Sequence, residues 1–225
     1  MMDNGYEIAM EISGNTAMWT RPDTGDCPVS YPAPTYSAVK GIFESILWGP
    51  VVQIIPTKVE ICAPVQYHNY QTNYGGPLRK ARVMAEGGGF QLLATVLIDV
   101  CYRLYAEAST IPKSIKAPVP DKAQQWDGKT TSPGHAYREI FYRRLKKGQC
   151  FTIPFLGWKE FGPTYFGEFR ETTRVQNEIH MVIPSMLREV FPEGLASKCV
   201  FTYEQDVKIN SGVMEFSRRG GRHAE

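Results

Sequence analysis

Between Lys129 and Lys147 the chain carries six cations, Lys129, Arg138, Arg143, Arg144, Lys146 and Lys147, against one anion, Glu139. Glu139, four residues before Arg143, is the single acidic i,i+4 partner in the run, fewer than a salt-bridged surface helix carries. Such a density of positive charge suits phosphates, whose neutralisation releases counterions and dominates nucleic-acid affinity; the competing reading is a helix whose charged face merely meets water. His135 stands at the mouth of this patch, just after Pro133-Gly134. An imidazole titrates near neutrality and can both take and give a proton. With Tyr137 beside it, and with Lys146 and Lys147 to stabilise charge on a crowded phosphorane, His135 fits RNA cleavage by attack of a ribose 2′-hydroxyl on its own phosphate. That reaction needs a base, an acid and a cation. His135, Tyr137 and Lys147 are therefore the candidate catalytic residues. Arg143, Arg144, Lys146 and Lys147 are candidate RNA contacts.

Two more basic groups add to these. The segment Gln66 to Gly89 interleaves Tyr67, His68, Tyr70 and Tyr74 with Arg79, Lys80 and Arg82, and ends in three glycines. Aromatic rings among cations suit base stacking and phosphate contact, and a solvated loop is the plainer alternative. The C-terminal tail contributes Arg218, Arg219 and Arg222.

Other chemistries find little support. Four histidines show no HExxH or comparable spacing, and five cysteines are scattered without a CxxC pair. No metal or other cofactor is expected on that basis, and the thiols are expected to be reduced. No P-loop, GxGxxG, GxSxG or paired-carboxylate motif is present.

The elements that must position these residues follow from periodicity. Tyr6, Ile8, Met10 and Ile12 alternate with polar residues and predict a half-buried strand over 6–13. A helix is expected from Tyr36 to Trp48, capped by Thr35 and stopped by Gly49-Pro50. Strands are expected over Gln53–Pro64 and Thr95–Ala108, and a second helix over His135–Lys147 with Gly148 as its C′ residue. Short strands are expected over Cys150–Phe155, Glu178–Ile183, Lys198–Tyr203 and Val213–Phe216. The order strand, helix, strand, insertion, strand, helix, strand predicts an α+β fold. It resembles a split βαβ, or ferredoxin-like, module of the kind RNA-recognition domains share, followed by a β-rich extension.

The chain has 225 residues, 43% hydrophobic and 21% charged, with a formal net charge of +2. That excludes a collagen, a coiled coil or a wholly disordered chain. No apolar run is long enough for a transmembrane helix, and the N-terminus has no signal-peptide pattern. A cytoplasmic protein is expected.

Two longer patterns carry a family resemblance. Val29-Ser30-Tyr31, followed by Thr35-x-Ser37-Ala38-x-Lys40-Gly41-Ile42-x-Glu44-x-Ile46-x-Trp48-x-Pro50, resembles the first-helix signature of the Cas-five family of CRISPR-associated proteins. Phe141-x-Arg143-Arg144-x-x-x-Gly148-Gln149-x-Phe151-x-x-Pro154-x-Leu156-Gly157-x-Lys159-Glu160-Phe161 resembles the subtype I-C branch of that family, and Asp99-Val100-x-Tyr102-x-Leu104 adds a weaker match. The resemblance implies a ferredoxin-like (RRM-like) domain over 1–161 with a β-hairpin thumb at about 66–90, and a small C-terminal antiparallel sheet over 162–225. It implies a subunit that grips the 5′ handle of the guide RNA and contacts the backbone and large subunits of a type I surveillance complex, meeting target DNA only indirectly. For the I-C branch it also implies metal-independent cutting of precursor guide RNA within the repeat. The branch's catalytic trio is a tyrosine before the helix-ending tryptophan and a Lys-His pair before the second helix. Leu47 and Pro133-Gly134-His135-Ala136-Tyr137 stand at those places here. His135 then remains as the expected acid or base, with Tyr137 or Tyr36 as the phenol. A purely structural, handle-gripping subunit is the alternative.

Overall fold

A computed structural model of the chain describes residues 5–74, 90–111, 132–191 and 199–217. Arg79, Lys80, Arg82, Lys129, Arg218 and Arg219 lie outside the described residues. The element order is β1 (Tyr6–Ala17), α1 (Tyr36–Ile46), β2 (Val52–Ile61), β3 (Tyr67–Tyr74), β4 (Phe90–Thr110), α2 (Pro133–Lys146), β5 (Tyr165–Gly167), β6 (Met181–Glu189), β7 (Thr202–Asn210) and β8 (Val213–Glu215). The strands form one sheet in the order β5-β1-β4-β2-β8-β7-β6, with β3 pairing β4 off that path. Every pairing between these strands is antiparallel. The fold is α+β, a mostly antiparallel sheet with few helices.

The alternation legible in β1 decides the layering. Ile8, Met10 and Ile12, with Tyr102, Leu104, Ala106 and Ala108 of β4, are buried in one core shared with α1 and α2. Val39, Ile42, Phe43 and Ile46 of α1, and Tyr137, Phe141 and Leu145 of α2, complete it. The helical spacing of those residues gives each helix one apolar stripe, and burying the stripe supplies most of its stability. Ile183, Met186, Val207, Ile209 and Met214 of the C-terminal strands join the same core.

β4 has two parts. Its second half lies between β1 and β2, and its first half pairs with β3 from Tyr67↔Leu97 to Tyr74↔Phe90. Between the halves Asp99 adopts φ 51°, a left-handed conformation that Asp tolerates better than most residues. Asp99 thus marks where β4 passes from pairing with β3 to pairing with β2.

Three expectations about the last third change. Residues 150–155 are irregular rather than a strand: the amides of Phe151 and Thr152 bond the Ser45 carbonyl at 2.9 and 3.0 Å instead of a strand partner. β5, too short to show a period, pairs with β1 through Glu11↔Gly167 to Ser13↔Tyr165. β6 and β7 run later and longer than their alternation suggests, and β8 joins them to β2. The sheet is thus continuous across position 161. No described helix is long and apolar enough to cross a membrane.

Candidate nucleic-acid interface

α2 starts at Pro133, where a missing amide hydrogen costs nothing. It ends in a Schellman motif: Gly148 at φ 62° donates to Leu145 O at 3.1 Å, and Gln149 donates to Arg144 O at 2.9 Å. Its first turn packs very close to the sheet. A Cβ on Gly134 would lie 2.8 Å from Tyr6 Cδ2 and 3.1 Å from the Ala108 carbonyl oxygen, so glycine permits the approach. That approach brings His135 to Tyr6. The imidazole meets the Tyr6 ring edge-on, with centroids 5.5 Å apart, and the Tyr6 hydroxyl is 3.0 Å from Ser132 Oγ. His135 is exposed and Tyr6 half-buried. Arg138, one turn on, lies with its guanidinium 5.9 Å from the Tyr142 ring centroid.

The structure sorts the six sequence candidates on α2 into two groups. Arg143, Lys146 and Lys147 are exposed and, among the described residues, make no ion pair. His135, Arg143 and Lys146 fall at i, i+8 and i+11, one solvent-facing stripe, with Lys147 at its border. Arg144 and Tyr137 point the other way. Arg144 Nη1 donates to the Ile46 carbonyl at 3.0 Å, and the buried Tyr137 hydroxyl donates to the Leu47 carbonyl. Both satisfy carbonyls that the end of α1 leaves without helical partners. Burial pushes the Tyr137 phenol well above its ordinary range, with Glu44 adding to the shift and Arg144 opposing it. Glu44, itself half-buried, has its carboxyl raised by burial, while Lys40 at 4.0 Å opposes the rise.

The expected catalytic trio is therefore not brought to one point. At about 1.5 Å per residue, His135 and Lys147 stand about 18 Å apart along the helix, so Lys147 and His135 cannot share a phosphorane. Tyr36 is also distant in role: it is buried in the first turn of α1, edge-on to Phe216 at 5.5 Å and beneath the Arg188 guanidinium at 3.8 Å. The residue missed from the sequence is Tyr6. It reads as one more apolar position of β1, and only the tight Gly134 contact, 128 positions away in the chain, makes it a neighbour of His135. The Pro-Gly pair before His135 is the sole local hint.

On the hairpin, Tyr70 packs edge-on against Phe161 at 5.4 Å, so its ring is used within the molecule. Tyr67 and His68 are exposed. Several residues of the patterns that carried the family resemblance hold the scaffold together. Ser30 Oγ accepts from the Trp19 amide at 2.9 Å, and the Tyr31 hydroxyl accepts from the Leu187 amide at 3.1 Å. Leu156 O accepts from the Met18 amide at 2.9 Å.

Residues 7–215 match the family described as CRISPR-associated protein (Cas_Cas5), in its Cas5d form. The chain belongs to the Cas5 family, of the I-C type. A Cas5-family protein of Mannheimia succiniciproducens, named CRISPR pre-crRNA endoribonuclease Cas5d, is 32% identical over 174 residues, 71% of each chain. One of the same name from Thermus thermophilus is 29% identical over 160 residues, spanning 71% of this chain and 62% of that protein. Two solved structures share the fold. One, titled as a CRISPR-associated protein, has TM-score 0.66 at 20% identity over 97% of this chain and 95% of its own. The other, a functionally uncharacterized Streptococcus mutans protein, has TM-score 0.67 at 17% identity over the same shares.

Proposed function

We propose that this Cas5 protein grips the 5′ handle of guide RNA in the cytoplasm as a subunit of a type I CRISPR surveillance complex, and cuts precursor guide RNA within the repeat. The observation that carries the reading is the solvent-facing stripe of α2, where Tyr6 fixes an exposed imidazole in line with Arg143 and Lys146. The names of the two relatives support the same chemistry. RNA laid along the stripe meets phosphate-binding cations at one end and a proton-transfer group at the other. At the His135 end the 2′-hydroxyl attacks its adjacent phosphate and the 5′-oxygen leaves, giving a 2′,3′-cyclic phosphate and a 5′-hydroxyl. His135 takes the first proton or supplies the last. Arg138, one turn away, stabilises the extra phosphorane charge. Tyr6 positions the imidazole. Tyr137 acts by holding the end of α1 against α2, and Lys147 by contacting the RNA backbone farther along.

In this reading β1-α1-β2 and β4-α2-β5 form a ferredoxin-like module, supported by the order β5-β1-β4-β2. The β3–β4 hairpin is its thumb. The later strands form the C-terminal extension, and faces away from the stripe meet the backbone and large subunits. The array's own repeat RNA, incubated with the protein in EDTA, should give one cut that His135→Ala abolishes while binding stays within about twofold. Tight binding with no cut by the wild-type protein would refute the nuclease assignment. That outcome would leave the second reading, a handle-gripping subunit without activity, which Leu47 at the branch's tyrosine position and the internal use of the Tyr137 hydroxyl favour.

A further inference from the structure

Away from α2, an apolar cleft of about 380 Å³ opens between the foot of the β3–β4 hairpin and the start of β6. Its size falls within the range of small-ligand clefts, about 300–1,000 Å³. One wall is the ring of Tyr67, 47% exposed, at the first residue of β3. Met181, Val182 and Pro184 of β6 also line the cleft, with Val182 54% exposed. The floor is firm. Ser30 donates its amide to Thr95 O at 3.0 Å, and the hydroxyl of the buried Tyr31 accepts from Leu187 of β6 at 3.1 Å. Arg21 stands at the rim, its guanidinium 5.8 Å from the Tyr31 ring centroid and bonded to Asp23 at 2.7 and 3.1 Å.

We propose that this cleft receives one unpaired nucleobase of the bound RNA, stacked on Tyr67 with its phosphate at Arg21. This rests on the guide-RNA reading above and gives it a base-binding subsite remote from the His135 stripe. Three features favour a base. A half-exposed aromatic ring lines the cleft together with apolar side chains, and every base offers a π-face to such a ring. A guanidinium at the mouth matches a phosphate, and the exposed Arg21–Asp23 pair holds it only weakly, so it can be exchanged. The cleft also sits at the foot of the hairpin, so a strand following the hairpin passes over it. A peptide added along the edge of β6 fits less well, because Pro184 has no amide hydrogen to donate there.

The test uses the array's repeat RNA carrying 2-aminopurine at one purine position at a time, with the full chain as wild type, Tyr67→Ala and Tyr67→Phe. One position should change fluorescence on binding the wild type and Tyr67→Phe but not Tyr67→Ala. Affinity should fall roughly 5- to 150-fold in Tyr67→Ala and stay within about twofold in Tyr67→Phe, since the ring and not the hydroxyl stacks. An unchanged melting temperature in Tyr67→Ala shows that the fold is intact. If no position depends on Tyr67 while wild-type protein still binds the RNA, the cleft assignment fails and the guide-RNA reading stands. That is also the outcome if a protein segment occupies the cleft. If the wild type does not bind the repeat at all, both fail.

Discussion

Replacing Arg143, Lys146 and Lys147 together by alanine removes three exposed cations from one face of α2 and, among the described residues, breaks no ion pair. Replacing Arg144, their neighbour in sequence, removes instead a 3.0 Å hydrogen bond to the end of α1. A reading by charge alone treats all four as equivalent; their positions make them opposites. Each phosphate contact contributes about −0.7 to the slope of log K against log salt for single-stranded RNA and about −0.9 for duplex. Three contacts thus supply about 2 to 2.7 of the slope. Between 50 and 200 mM salt, that difference amounts to roughly a 20- to 40-fold change in affinity that the triple variant should no longer show. Each of the three changes should move the melting temperature by less than about 2 °C, because a single exposed surface change is usually worth less than about 0.5 kcal/mol. Arg144→Ala should do the reverse. Loss of a half-exposed charged hydrogen bond costs about 1 kcal/mol, or about 2–4 °C in a chain of this size, with the salt slope falling by less than one. Fluorescence polarisation of labelled repeat RNA across a salt series, with melting curves beside it, measures both. A triple variant whose slope falls by less than one, or an Arg144→Ala variant that flattens the slope as much as the triple, would refute the division.

Two predictions concern the scaffold. The buried Glu11 carboxylate takes a 2.5 Å bond from Arg170 Nε and a 2.8 Å bond from Thr173, with Arg103 Nε at 3.6 Å. Burial raises its pKa, but these bonds and the Arg170 charge outweigh burial and leave it below the ordinary carboxylate value. A depressed folded value means stability that is present above the unfolded value and lost as pH falls through the folded one. The wild-type melting temperature should therefore drop below about pH 4, and Glu11→Gln should weaken that dependence; an identical acid limb in the variant would show that Glu11 does not contribute. At Gly157, φ 91°, an added Cβ would lie 1.8 Å from Met18 O, so Gly157→Ala should cost about 3 kcal/mol or more in urea unfolding. Gly41→Ala, helical and with open space around it, should gain about 0.5–1 kcal/mol; equal effects at the two sites would contradict the packing seen at Gly157.

What was legible in the sequence was whatever repeats locally. β1, α1, β2, β4 and α2 each carry an apolar face whose spacing states which side meets the core; the burial of Glu11 and Ser13 on the other face of β1 is not visible in that spacing. The C′ role of Gly148 follows from the same local logic. Residues 150–155 misled because Phe151, Ile153 and Phe155 alternate like a strand, yet all three are exposed and their backbone is used to close the end of α1. β3 shows no apolar period of its own, because its residues are polar and aromatic and its pairing is dictated by β4, so the hairpin there is expected from the family resemblance and not from the pattern. The site was half legible: the cations and His135 are local features of α2, whereas Tyr6 reaches His135 only through a contact between the two ends of the core.

The end of α1 explains why a basic helix of this kind must be read by direction as well as by composition. The last carbonyls of a helix need donors from outside it, and here Phe151 N and Thr152 N serve Ser45 O, Arg144 serves Ile46 O and Tyr137 serves Leu47 O. Two of those donors belong to α2, so the crossing that buries Tyr137 and Phe141 also fixes the rotation of α2 about its own axis. That rotation decides which cations face solvent and holds His135 against Tyr6. Leu47, where the family resemblance implies a tyrosine, lies at the same joint, and its carbonyl takes the Tyr137 hydroxyl. In this protein, then, a phenol at the end of α1 comes from the second helix and is spent on the scaffold. The proposed proton transfer belongs to the other end of α2, where a glycine in the first turn lets the His135 imidazole meet the half-buried Tyr6 ring at the start of β1.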